Sequence, residues 1–185
     1  MNTDLDRNPA MPTLTVRQAH SAMIAGLPPV DYHGEVIESL GPNTARLRLP
    51  FKSEYLGAEL WQDGRGRVFS GPMVMALADL AMVCCTHAAL GGGVIAVMVN
   101  FNVTFLEPAR AADLIADVRL VRRGGRLCYL ECSLNSEGET RPCAHVTSTY
   151  RVSRLTASRP VRPLNQSSPA LSAGVARQSR GSCAF

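Results

Sequence analysis

Aromatic residues make up 5% of these 185 residues and charged ones 18%, so an interior here must be built from aliphatic side chains rather than rings. Cysteine occurs six times, but without a CxxC pair or a metal-type Cys/His spacing; no metal and no cofactor is proposed. No secretory signal is predicted at the N-terminus, and the thiols at 84, 85, 128, 132, 143 and 183 read as reduced cysteines of a cytoplasmic protein. The longest apolar run falls short of the roughly 18–20 residues that a bilayer requires and carries Asp79 at its middle, so no transmembrane helix is predicted. Acidic residues are missing after Glu139, whereas Arg151, Arg154, Arg159, Arg162, Arg177 and Arg180 follow it. The net charge of +4 therefore belongs largely to the C-terminal end, and a nucleic-acid-binding reading rests on that tail alone.

What is there suffices for one domain with a sizeable core. Residues 1–12 read as a flexible N-terminal arm, 13–153 as the domain, and 154–185 as a disordered basic tail of Ser, Arg, Pro and Ala without periodicity. Thr13 or Thr15 can cap a short helix in which Val16, Ala19, Met23 and Ile24 recur at helical spacing before Gly26 and Pro28-Pro29 end it. Strands are predicted over 34–40 and 45–49, where Leu47 and Leu49 alternate with Arg46 and Arg48. A short turn or helix over 54–60 leads to a polar loop, 61–67. Beyond the central apolar segment, Gly91-Gly92-Gly93 opens a strand over 94–106, with Ile95, Val97, Val99, Phe101, Val103 and Phe105 assigned to one face. Strands over 114–121, 127–134 and 143–152 follow. Two strands, a long helix and four consecutive strands describe an α+β domain, a long central helix packed on a mostly antiparallel sheet.

The central segment, FSGPMVMALADLAMVCCTH from Phe69 to His87, organises the rest. Its side chains are apolar on all faces from Met73 to Cys85 except at Asp79, the composition of a helix wrapped by protein. A carboxylate in such surroundings must be paired, hydrogen-bonded or raised in pKa. It is either a structural group or a functional base.

From about Val16 to Val152 the chain resembles the hotdog-fold acyl-CoA thioesterases, specifically the phenylacetate-degradation (PaaI-like) branch. In that family a His-Gly-Gly turn opens the central helix, and an acidic residue follows eight positions after the first glycine. Here Ser70-Gly71-Pro72 takes the turn and Asp79 stands at that spacing from Gly71. The strand VNFNVTFLEPA, Val99 to Ala109, and the paired segment VRLVRRGGRLCYLECSLNSEGE, Val118 to Glu139, are similar to the family's later strands. The resemblance implies hydrolysis of acyl-coenzyme A to free acid and coenzyme A by a homodimer or homotetramer whose sites use two subunits. It places the role of general base or nucleophile on Asp79, and that of oxyanion donor on the Gly71 amide at the helix N-terminus. It also implies that Ser70, with Asn100 or Gln62, orients the thioester.

Several positions depart from the family. Ser70 replaces the histidine, the loop Asn or Gln corresponds to either Gln62 or Asp63, and Met98 stands where some members carry a small hydroxyl residue. These departures support an alternative, a non-catalytic acyl-CoA or lipid-binding hotdog module. Ser70 lacks the Gly-x-Ser-x-Gly setting of a nucleophile and suits an N-cap. His87 reads as a helix C-terminal residue and Cys84-Cys85 as core. Arg65, Arg67, Arg122, Arg123 and Arg126 are candidate phosphate contacts, of which Arg122 and Arg123 are carried forward as substrate-binding together with Gln62, Asp63, Asn100 and Met98.

Overall fold

A computed structural model describes residues 14–26, 32–59 and 66–154. The expected arm at 1–12, the tail beyond Arg154, and the site candidates Gln62 and Asp63 lie outside the described residues.

Helix α1, Val16–Gly26, begins with a reciprocal cap: the Gln18 amide donates to Thr15 Oγ1 at 3.3 Å, and the Thr15 amide donates to Gln18 Oε1 at 2.9 Å. Among its described side chains Ala19 and Met23 are buried, while Val16 and Ile24 face outward. Met23 meets Cys84 of the central helix, sulfur to sulfur, at 3.9 Å.

Strands β1 (Val36–Leu40) and β2 (Thr44–Leu49) form the expected hairpin, with Ala45, Leu47 and Leu49 buried on one face. Their other face carries an ion network. Arg48 bonds Glu38, Asp113 at 2.9 Å and Glu137 at 2.7 Å, and Arg46 bonds Glu38 and Asp117. The Arg48 hydrogen bond holds the Glu38 carboxyl below its ordinary pKa; the Phe51 amide, and then Arg48, do the same for Asp113. Groups depressed in the folded state stabilise it above the ordinary carboxylate pKa and lose that contribution as pH falls through their folded values. Arg48→Met is therefore expected to cost about 1 kcal/mol at neutral pH. The gap from the unmutated protein should close in strong acid, which urea titrations at the two pH values would check.

A single 3₁₀ turn, Ser53–Tyr55, precedes the short ribbon of β3 (Leu56–Glu59) and β4 (Arg67–Phe69). The ribbon feeds α2, Gly71–Leu90, from a fixed position. The Phe69 amide donates to the Ala109 carbonyl at 3.0 Å, and the Ser70 amide to the Tyr55 carbonyl at 2.9 Å. Gly91 ends α2 at φ +89°, where its amide donates to the His87 carbonyl at 2.7 Å.

Strands β5 (Val94–Phe105), β6 (Leu114–Gly124), β7 (Leu127–Ser136) and β8 (Ala144–Arg154) complete a six-stranded sheet ordered β1-β2-β6-β7-β8-β5, with every paired neighbour antiparallel. The sheet curls around α2, whose buried Leu77, Ala78, Ala81, Met82, Cys85 and Ala89 belong to one core with β2, β6, β7 and β8. By length and composition α2 could cross a membrane, but 61% of its apolar window is buried inside this domain, the position of a core helix. The thiols of Cys84 and Cys85 are both pushed up to about 12 by burial, as suits packing groups rather than nucleophiles.

The single-face assignment for β5 is corrected by a bulge. Pairing with β8 slips between Met98 and Asn100, so Val99 has no ladder partner. Before the slip Ala96 and Met98 lie opposite the inward Val152 and Tyr150; after it Phe101 and Val103 lie opposite Ser148 and Val146. Ile95 and Val97 therefore face away from α2, whereas Phe101 and Val103 face it. The Asn100 carbonyl accepts a hydrogen bond from the Ser148 hydroxyl beside the bulge.

Candidate active site

The start of α2 offers the first half of a site. Ser70 occupies the N-cap with extended backbone (φ −66°, ψ 139°), but its hydroxyl makes no capping hydrogen bond, so the expected cap is a backbone one only. The Ser70 carbonyl accepts from the amides of Met73 and Val74. Gly71 is the first helical residue, where helix geometry provides no acceptor for the amide, and Pro72 has none to offer. The Gly71 N–H thus points out of the helix with the positive end of the dipole behind it. The Phe105 ring covers this glycine closely: a Cβ at 71 would stand 3.4 Å from Phe105 Cζ.

A cavity of about 570 Å³ opens here, lined by Gly57, Ser70, Gly71, Val74, Phe105 and Leu106. It shares Val68, Glu107 and Pro108 with a neighbouring cavity of about 480 Å³. Arg67, Arg110 and Arg141 line the second cavity. Arg67 is anchored by bonds to the Leu56 and Gly57 carbonyls, while Arg110 pairs with Glu139 and Arg141 with Glu107.

Asp79 supplies the second half. Its side chain is half-buried, and its Oδ1 accepts a hydrogen bond from the phenol of Tyr150 in the middle of β8. Tyr150 is 1% exposed and stands directly opposite Met98 in the β5–β8 ladder. Asp79 and Met98 are thus brought to one locality. Burial, and then the Asp79 hydrogen bond, push the Tyr150 phenol above its ordinary pKa, so it remains a neutral donor.

Other candidates fall elsewhere. Asn100 and Asn102 lie opposite Thr149 and Thr147, on the sheet face away from α2, because the bulge reverses the alternation. Arg122 and Arg123 belong to the β6–β7 hairpin, whose Leu120 and Cys128 interact with Cys85 in the C-terminal half of the helix. The full helix is roughly 30 Å long, so these two arginines stand far from Gly71 of the same chain. Among the described residues, the cations lining the cavity that adjoins the Gly71 cavity are Arg67, which the sequence named, and Arg110 and Arg141, which it did not. His87 is half-buried, and burial lowers its pKa. Among the described residues no cluster of three His, Cys, Asp or Glu side chains is arranged to hold a metal.

The spacing of the two halves has a strict consequence. Eight residues of α-helix span about 12 Å, so the Gly71 amide and the Asp79 carboxylate of one chain cannot both reach a single carbonyl group.

Comparisons with known proteins bear on the fold. Residues 66–143 match the Thioesterase superfamily. The matched stretch contains Ser70, Gly71, Asp79 and β5 entire. A candidate thioesterase of Silicibacter sp. TM1040 has a similar structure, 25% identical, with 78% of this chain and 95% of that one covered and a TM-score of 0.68. A thioesterase of Haemophilus influenzae, 19% identical, superposes over 80% of this chain and 96% of its own with a TM-score of 0.63. A mutant thioesterase of Pseudomonas aeruginosa, 15% identical, covers 80% and 100% with a TM-score of 0.65. The fold is the hotdog fold. No curated protein matches the chain.

Proposed function

We propose that this hotdog chain is an acyl-CoA thioesterase of the PaaI-like branch, working in the cytoplasm as a homodimer or homotetramer. The observation that carries the reading is Asp79: a half-buried carboxylate on the central helix, eight residues after a glycine amide that has no helical acceptor. It lies inside the segment that matches thioesterases.

Two chains complete one site in this reading. β5 is an apolar edge strand on which Ile95, Val97 and Val99 are 46%, 56% and 61% exposed, a surface suited to edge-to-edge pairing with a second copy. Antiparallel pairing of two β5 strands brings the start of one α2 alongside the middle of the other. The Gly71 amide of one chain then meets the same thioester as Asp79 of its partner.

The carbonyl oxygen accepts from Gly71, with the helix dipole favouring the charge that develops there. Asp79 takes a proton from water as its oxygen bonds to the carbonyl carbon, or attacks that carbon itself. With water as the nucleophile the C–S bond breaks and the leaving thiolate takes the proton held by Asp79. With Asp79 as the nucleophile the C–S bond breaks to leave a mixed anhydride, which water hydrolyses to the free acid and the restored carboxylate, the proton released from that water going to the thiolate. The phosphate-bearing end of coenzyme A fits the groove of Arg67, Arg110 and Arg141 better than Arg122 and Arg123 of the same chain, which lie at the far end of α2. Ser70 and Met98 line the two sides of the reacting group.

Release of free thiol from a panel of aromatic and medium-chain acyl-CoAs tests the reading. Hydrolysis is expected from the unmutated protein and not from Asp79→Ala. Acyl-CoA binding without thiol release would favour the non-catalytic module instead.

A further inference from the structure

Among the described residues Tyr150 is the largest side chain fully buried, in a core otherwise nearly all aliphatic. Phenylalanine would fill almost the same volume without a hydroxyl to satisfy, and a buried hydroxyl costs stability unless it is hydrogen-bonded. This hydroxyl has a definite use: it bonds Asp79 Oδ1 across the interface between β8 and α2. The groups facing the phenol are Asp79 from α2, Ser148 on its own strand, Cys128 and Cys132 from β7, and Met98 from β5. Burial pushes the Cys128 thiol up to about 11 and raises that of Cys132, so both are neutral at neutral pH. Asp79 is then the charge that the phenol answers.

We propose that Tyr150 is the positioning residue for Asp79, binding Oδ1 so that Oδ2 alone is presented to the water or the thioester. The inference rests on the assignment of Asp79 given above. A carboxylate on a helix can turn about its last torsion, and a single buried donor on one oxygen removes that freedom. The strand carrying the donor is an interior one, hydrogen-bonded to both β7 and β5, so the donor itself does not wander.

Tyr150→Phe tests this through kcat and KM for acyl-CoA hydrolysis, measured beside Asp79→Asn. The Phe variant is expected to lose about 10- to 100-fold in kcat with KM nearly unchanged, since a supporting residue of this kind acts through the group it orients. A purely structural role would lower the melting temperature and leave kcat of the folded protein in place. An inactive Asp79→Asn together with a Tyr150→Phe kcat like that of the unmutated enzyme overturns the positioning role alone; an active Asp79→Asn overturns the assignment of Asp79 and this inference with it. Should Tyr150→Phe fail to fold, 4-aminophenylalanine placed at 150 keeps the volume and a weaker donor. A lower kcat with KM nearly unchanged is then expected, and an unchanged kcat would overturn the proposal.

Discussion

Co-expressed Asp79→Asn and Gly71→Pro chains are expected to recover about a quarter of the native thioesterase activity, as random pairing in a symmetric dimer dictates. Each variant alone should be nearly inactive. The proline at 71 removes the amide hydrogen and little else. Position 71 is the first residue of the helix, where proline is accommodated, and Ser70 before it already has the extended backbone that a following proline demands. The Phe105 ring must give way by a few tenths of an ångström, and it is 54% exposed and able to do so. Loss of one oxyanion donor costs about 10²–10³ in kcat. Half of the randomly formed dimers join one chain of each kind. Such a dimer holds one site with both Gly71 and Asp79 and one site with neither. If both groups of a single chain served the same thioester, every site would carry a defect and the mixture would stay inactive. The 12 Å helical spacing argues against that arrangement, and the assay decides it.

Lysines at Val97 and Val99 are expected to make the protein monomeric in sedimentation and to reduce thioesterase activity about 100-fold or more, the scale of loss when reacting groups are not held together. Both side chains are mostly solvent-exposed on the single chain, so the charges should leave its folding undisturbed. Across a pairing of two β5 strands the charges would repel one another, and lysine on an edge strand is a natural block to such pairing. A double variant that remained dimeric and fully active would remove β5 from the proposed interface.

The helix, the succession along the chain of the six strands of the large sheet and the position of Asp79 were legible because each leaves a local mark: an unbroken apolar run, turn residues between alternating segments, one acid among apolar neighbours. The β3–β4 ribbon, where a turn or helix and a polar loop were expected, was not. The degree of burial was not legible. Glu35, at the entrance to β1, is the carboxylate sealed from solvent at 1% exposure. It is satisfied close by, accepting from the His33 amide at 2.8 Å and meeting His33 Nδ1 at 3.2 Å. Asp79, in the more apolar sequence, is only half-buried, because its side of the helix faces the β5 end of the sheet. Composition along a helix gives its average surroundings, whereas exposure depends on where the sheet stops.

Tyr150 escaped notice for a related reason. Alternation along β8 places it inward, but only the crossing of β8 with α2 brings it to Asp79. Arg110 and Arg141 were missed because the loops before β6 and before β8 meet only in the folded chain. Arg122 and Arg123 drew attention as a conspicuous pair in a tight turn, a local signal that says nothing of which end of the helix the turn reaches.

The bulge at Val99 bears on how this strand is compared with any other. An alignment that follows hydrophobic alternation will be in phase on one side of Val99 and one residue out on the other. Roles carried over to Met98 or to Asn100 thus depend on which side anchors the match. Two parities coexist in β5, and a single residue separates them. Its presence lets one strand send Ala96 and Met98 inward ahead of it, and Phe101 and Val103 inward behind it, while Ile95 and Val97 are left for a neighbour.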